Sequence, residues 1–248
     1  MVKIKSMSIR SYDIEKRVEA FHWWFSVRRK LLGSVLSSIP LPLGSLALDV
    51  GCGTGSNLRL LRAQGFSVIG LDNSLYALSL AKMNTRHLFI NGDLNTLPIR
   101  PESVGLIIAM DILEHLENDQ HGIRQCFQAL TKGGTLIVTV PAFNWLWGIQ
   151  DLVTQHKRRY TRKEIVNLLI LEGFEVLKSS YFNFFLFFPI LLARRTTHLL
   201  GLNIRSENEI NSTLLNSLLK GIFSLEPYLL EHFPFPFGVS ILCIARKK

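Results

Sequence analysis

The run Asp49-Val50-Gly51-Cys52-Gly53-Thr54-Gly55 sets three glycines at alternate positions behind a carboxylate. Glycines so spaced let the chain turn sharply and let a ligand reach main-chain atoms without meeting a Cβ. More acids follow at intervals: Asp72, then Asp93 beside Gly92, then Asp111 and Glu114 in Asp111-Ile112-Leu113-Glu114-His115. A carboxylate about 20 residues beyond a glycine turn is where open α/β sheets hold ribose hydroxyls, which is the role expected of Asp72. Asp93 is expected to accept from an adenine amine. Two histidines, His115 and His156, could move a proton near neutral pH. His115 suits a structural histidine bonded to the nearby backbone equally well. His156 opens the run His156-Lys157-Arg158-Arg159-Tyr160, which reads either as a clamp in which Arg158, Arg159 and Tyr160 hold an anionic substrate, or as a solvated basic loop.

To act together, these residues must reach one edge of one sheet. Apolar runs at Leu46–Val50, Ser67–Leu71, His87–Asn91, Val104–Met110 and Thr135–Val140 read as strands, and residues 57–63, 75–83 and 122–130 as crossover helices, the pattern of parallel βαβ units. Lys132-Gly133-Gly134 is expected to turn before the fifth strand. A helix near Lys163–Leu171, stopped by Gly173, then leads to a strand near Phe174–Ser179. Residues 1–43 form an expected helical cap, with Phe21, Trp24, Phe25, Arg28, Leu31, Leu32 and Val35 at three-to-four spacing and Pro40 and Pro42 closing it. The expected division is a cap (1–43), an α/β domain (44–180), a hydrophobic and helical insertion (181–236), with a polar segment around Arg205–Ser212, and a final strand (237–248, centred on Val239–Ala245), all in one structural domain. A dinucleotide fingerprint G-x-G-x-x-G is disfavoured because its last glycine is Ser56.

Taken in order, the Asp-Val-Gly-Cys-Gly-Thr-Gly loop, Asp72, Gly92-Asp93 and Asp111-x-Leu113-Glu114-His115 resemble the class I S-adenosylmethionine-dependent methyltransferases over about residues 46–140. The downstream Pro141-Ala142-Phe143-Asn144-Trp145-Leu146-Trp147, Asp151 and His156–Thr161, with His22-Trp23-Trp24-Phe25 upstream, are similar to a type 11/12-like subgroup of largely unassigned substrate. The quinone-biosynthesis O-methyltransferases are a weaker likeness. The resemblance implies a Rossmann-like α/β fold, a seven-stranded sheet with helices on both faces and an antiparallel last strand. It also implies S-adenosyl-L-methionine as cofactor and S-adenosyl-L-homocysteine as product. The cofactor would be held by Asp49, Gly51, Cys52, Gly53 and Gly55 at the methionine part, by Asp72 and Asn73 at the ribose, by Asp93 and Leu94 near the adenine, and by Met110 and Asp111 at the fourth strand. Arg28 is expected to reach the cofactor carboxylate, while Trp23, Trp24 and Phe25 read as a core stripe.

The 248-residue chain carries a net charge of +9 and 48% hydrophobic residues, with a mean hydropathy of +0.23 and a pI near 9.7. Such a charge suits an anionic partner, but the basic residues are interleaved with apolar ones and no RNA-binding module is present, so nucleic acid is disfavoured. Cys52, Cys126 and Cys243 lack metal-ligand spacing, and no metal and a reduced cytoplasmic setting are expected. The start Met1–Ser6 lacks the apolar core of a signal sequence. No stretch reaches the ~20 apolar residues of a membrane span. Tyr181–Leu192, followed by Arg194 and Arg195, is expected either to lie in a membrane interface at the inner face or to cover an apolar pocket. Both readings favour a small, apolar or lipid-linked acceptor, quinone-like or a polyprenyl-linked glycan, for direct methyl transfer. A cofactor-binding protein without catalysis, and a methyltransferase of RNA or protein, are the alternatives.

Overall fold

The computed structural model describes residues 9–40, 44–83, 87–199 and 212–248. Seven strands form one sheet: β1 (Leu46–Val50), β2 (Ser67–Asp72), β3 (Leu88–Asn91), β4 (Val104–Met110), β5 (Leu130–Pro141), β6 (Phe174–Phe182) and β7 (Ser240–Lys247). Their order is β3-β2-β1-β4-β5-β7-β6. β1 to β5 pair in parallel, and β7 lies antiparallel between β5 and β6. This is the seven-stranded α/β fold expected, antiparallel last strand included. The central strands are buried runs such as Leu106–Ala109 and Leu136–Val138, as a parallel sheet covered on both faces requires.

The helices are α1 (Ile9–Val18), α2 (Trp23–Ser38), α3 (Leu58–Ala63), α4 (Leu75–Lys82), α5 (Asp119–Ala129), α6 (Ile149–Val153), α7 (Arg162–Leu171), α8 (Phe187–Leu199), α9 (Thr213–Phe223) and α10 (Glu226–His232). Their starts follow local chemistry. Ser74 and Asn118 accept from the backbone N–H of Ala77 and His121, and Thr161 with Glu164 forms a capping box at α7. α2 buries Val27, Leu31, Leu32, Val35 and Leu36 in the main core and packs on its far side against α9 and α10. Phe21, expected in that stripe, lies before α2 and is exposed.

Two elements differ from expectation. Lys132-Gly133-Gly134 lie inside β5: Leu130 pairs with Val104 and Thr135 with Leu106, so Thr131–Gly134 loop out opposite the single Gly105, with Gly133 at φ +77°. β6 runs on to Phe182 because Tyr181 and Phe182 pair with Ile241 and Ser240, so the excursion before β7 starts at Asn183. The expected polar segment around Arg205–Ser212 lies outside the described residues except for Ser212, which caps α9 by accepting from Leu215 N–H. The initial residues and Pro42 lie outside them as well. Among the described residues no helix is long and apolar enough to cross a membrane.

Candidate functional site

The carboxyl ends of β1, β2, β3 and β4 open onto one cavity of about 940 Å³, near the top of the roughly 300–1,000 Å³ usual for small-molecule sites. Its first half is built on the glycine loop. Gly51 and Gly53 line it at φ +71° and +51°, and a Cβ on Gly51 would stand 2.7 Å from Ile112 Cδ1. Asp72 faces the same space, where Oδ2 accepts from Gly53 N–H at 2.8 Å and Oδ1 from Ser74 N–H at 2.8 Å. The acid therefore fixes the loop as well as facing a ligand. Asn73, Asp93, Leu94, Met110 and Asp111 line the wall beyond it. Asp93 Oδ1 holds Asn95 N–H. Asp111 adopts φ +56°, which aims its carboxylate at Arg28, 2.6 Å away, and at the Thr139 hydroxyl. Arg28, lying over the Trp24 ring, is thus a cation set among several carboxylates.

Asp49, Cys52 and Gly55 belong to the same loop but stand behind the cavity wall. Asp49 is buried and its carboxyl is pushed up to about 8, by burial and by the charge of Asp72; its Oδ2 has no hydrogen-bond partner. The sequence reading missed Glu15, whose carboxylate stands over Gly53 and is raised to about 7 by burial and by Glu19. Nothing in its spacing marks it, because α1 reaches the loop only through the tertiary fold.

The second half contains both histidines. His156 Nδ1 lies 2.7 Å from Asp151 Oδ1. The fully buried Asp151 also takes Arg159 in a two-point pair, at 2.9 Å to each oxygen, and Gly148 N–H at 2.7 Å. Burial alone would raise its pKa, but the hydrogen bonds from His156 and Arg159 and the guanidinium charge outweigh it and hold Asp151 well below the usual carboxylate range. An ionised partner at Nδ1 favours the tautomer that keeps a lone pair on Nε2. The His115 ring meets that of His156 edge-on at 4.8 Å. Burial, with the charges of His156 and Lys157, pushes His115 down to about 4, so it stays neutral at physiological pH.

Glu114 lies fully buried beneath them, and neither of its oxygens has a hydrogen-bond partner; burial and the nearby Asp111 push its carboxyl far up. Donor atoms of Glu114, His115 and His156 lie within 4.8 Å of one another, so these three residues could hold a divalent cation. Cysteine spacing could not reveal such a group, since its ligands are split between residues 114–115 and 156.

The expected clamp is engaged with the protein itself. Arg159 is buried against Asp151 and the Ala142 carbonyl. Tyr160 is buried with its hydroxyl donating to Asp119. Arg158 donates to the Leu116 and Glu117 carbonyls and pairs with Asp119. Only Arg159 of the three touches the cavity. Its remaining walls come from residues the sequence reading did not name as a site. Trp23 and Trp24 enter from α2 with His22 that caps it, and Asn183, Ile190 and Arg194 from the segment after β6. Asn183 is buried at φ +58°, and Arg194 donates to the Leu146 carbonyl at 2.6 Å.

A methyltransferase-domain family model matches residues 48–138. A probable S-adenosylmethionine-dependent methyltransferase of Mycolicibacterium smegmatis is 30% identical over 138 residues, covering 54% of this chain and 53% of the relative. A ubiquinone biosynthesis O-methyltransferase of Aliivibrio fischeri is 28% identical over 138 residues, covering 53% and 58%. The chain thus spans between half and three fifths of the length of these relatives. A structure of a Haloferax volcanii methyltransferase in complex with the Trm112 activator superposes with a TM-score of 0.65 at 17% identity over 98% of both chains, a likeness of fold. The matched segment begins in β1, includes the glycine loop, Asp72, Asp93, Asp111 and Glu114, and ends in β5. Residues 48–138 thus match a methyltransferase domain and are similar in sequence to S-adenosylmethionine-dependent methyltransferases, and this segment supplies the glycine-loop half of the cavity.

Proposed function

We propose that the chain methylates an oxygen of a small, apolar or lipid-linked acceptor, with His156 as the base that takes the acceptor's proton. The observation that carries this reading is His156, which lines the same cavity as the glycine loop and is held from behind by the buried Asp151 at 2.7 Å. The residues fit the cofactor: Gly51 and Gly53 leave its backbone approach open, and Glu15, Asp72, Asp93 and Asp111 set negative charge around a ligand carrying a sulfonium and an ammonium. When bound, S-adenosylmethionine supplies a methyl group already activated on sulfur, displaced in one step as the acceptor oxygen forms the new C–O bond and the sulfur keeps the electrons of the broken one. Alignment and exclusion of water then fall to the protein. His156 Nε2 receives the hydroxyl proton, and ionised Asp151 stabilises the imidazolium that results. Trp23, Trp24 and Ile190 give the acceptor half its apolar wall. The ubiquinone-pathway relative supports an oxygen acceptor by analogy.

Incubation of the chain with methyl-labelled S-adenosylmethionine and separated lipid, small-molecule, protein and RNA fractions tests the proposal. Label should enter the lipid or small-molecule fraction, and His156→Ala should slow transfer by roughly 10²–10⁴-fold with cofactor affinity unchanged. Label in RNA or protein would overturn the acceptor class. Cofactor binding without transfer to any fraction would leave a binding protein.

A further inference from the structure

Exposed apolar side chains stand on and beside elements that line the cavity. On α8, Ile190 and Arg194 line the cavity, while Phe188 and Leu192, one turn apart, are 65% and 66% exposed. On α9, Leu214 and Leu218 are likewise one turn apart, at 82% and 58% exposed. Asn216, between them, is bonded to the cavity wall: its Oδ1 accepts from Trp23 N–H at 2.8 Å and its Nδ2 donates to the Phe21 carbonyl at 3.1 Å. Phe21 is itself exposed. On the other side, exposed Trp145 packs against Phe187, the first residue of α8, at 5.8 Å. Phe188 and Leu192 thus stand on a helix that lines the cavity, Leu214 and Leu218 on one tied to it through Asn216 and Trp23, and Phe21 and Trp145 beside His22 and Phe187.

Charge on these elements has one sign. α8 and α9 carry Arg194, Arg195 and Lys220 and no aspartate or glutamate, and exposed Lys30 reaches Ser224 at the end of α9. Apolar side chains interleaved with cations and free of acids match an anionic lipid surface, where aromatic and aliphatic groups enter the headgroup boundary and cations meet phosphates. A protein partner of mixed charge would leave these cations without matching acids. We infer that this face docks on an anionic bilayer and turns the cavity's acceptor half toward it, so that an apolar acceptor passes from the membrane to His156 without crossing water. The docking stands on exposure and charge; the delivery of an acceptor rests on the methyltransferase reading.

The test is flotation of the full chain with vesicles of phosphatidylcholine alone or mixed with phosphatidylglycerol, alongside calorimetric binding of S-adenosylhomocysteine. The chain should float with the anionic vesicles, less with the neutral ones, and less at high salt. Phe188→Ser/Leu192→Ser and Leu214→Ser/Leu218→Ser should each lower partitioning by roughly tenfold or more, and the four together should abolish it. All these positions are exposed, so S-adenosylhomocysteine binding should persist and certify the fold. Absence of flotation, or flotation undiminished in the fourfold variant, overturns the surface. So does a dimer that the fourfold variant converts to monomer, since the face would then belong to a second copy. Vesicle binding without S-adenosylhomocysteine binding sinks the methyltransferase reading and leaves the docking surface; the reverse pattern does the opposite.

Discussion

Cofactor affinity should fall as the solution is acidified, and Glu15 sets most of the slope. Its carboxyl titrates at about 7 in the free protein because it is withdrawn from water and faces Glu19. A cationic ligand beside it favours the ionised form, so binding at pH below 7 must first expel a proton. Affinity is then fully present above about pH 8 and is lost as pH falls through 7. With a pKa of about 7, roughly one carboxyl in eleven is ionised at about pH 6 and nearly all at about pH 8.5, which predicts a rise in Kd of about tenfold, or about 1.4 kcal/mol. Asp49, raised to about 8, acts in the same direction from behind the loop. Titration calorimetry of S-adenosylmethionine across this range, in two buffers of different ionisation enthalpy, reads both the affinity and the proton released. Glu15→Gln should flatten the curve, and S-adenosylhomocysteine, which lacks the sulfonium, should show a shallower one. A Kd that does not rise with acid, or a slope unchanged in Glu15→Gln, would refute the electrostatic reading of this cavity.

Three further outcomes are expected. Asp151→Asn leaves Arg159 buried without its ion pair and His156 without its anchor; urea titration should show a loss of about 3–5 kcal/mol, and any folded fraction should lose kcat more than KM. Gly51→Ala forces a Cβ into φ +71° and 2.7 Å from Ile112 Cδ1, so cofactor affinity should drop; adding Ile112→Ala should relieve the clash but leave about 1–2 kcal/mol of left-handed strain, and full recovery in the double variant would contradict the geometry. Glu226, buried and raised to about 7 although the N–H groups of Phe185, Phe184 and Asn183 oppose the burial effect, prefers its protonated form. Stability is therefore lost as pH rises from the unfolded value of about 4.5 through 7, on the order of 3 kcal/mol. Thermal melts of Glu226→Gln should gain at pH 8 and change little at pH 5; an equal shift at both would exclude this origin.

The cofactor half was legible because its determinants are local. β1 and β4 have the bounds read from their apolar runs, Asp72 ends β2, and Asp93 and Asp111 follow β3 and β4 by two residues and by one. The acceptor half was not, because its contacts join distant segments. Asp151, His156 and Arg159 look alike as sequence, a polar stretch with basic residues. Only the packing of α6 beneath the loop makes Arg159 a partner of Asp151 and leaves His156 facing the cavity. Glu15, Trp23, Asn183 and Arg194 converge from the two ends of the chain, and no period or spacing relates them. The segment from Tyr181 was read as one aromatic stretch, yet it divides: Tyr181 and Phe182 complete β6, Leu186 and Phe187 are buried, and Phe188 and Leu192 face outward.

Strand order has a consequence for how such a molecule can diversify. Because β7 runs against its neighbours, the end of β6 at Phe182 and the start of β7 at Ser240 are directly paired. Everything between them leaves and returns at adjacent points on the edge that carries the cofactor loop. The closure entropy of such a loop grows only logarithmically with its length, so the segment can be lengthened, shortened or exchanged while the two strands remain zipped. The fold thus leaves residues 183–239 free to change in length or sequence while the sheet edge built on β1 to β4 stays as it is.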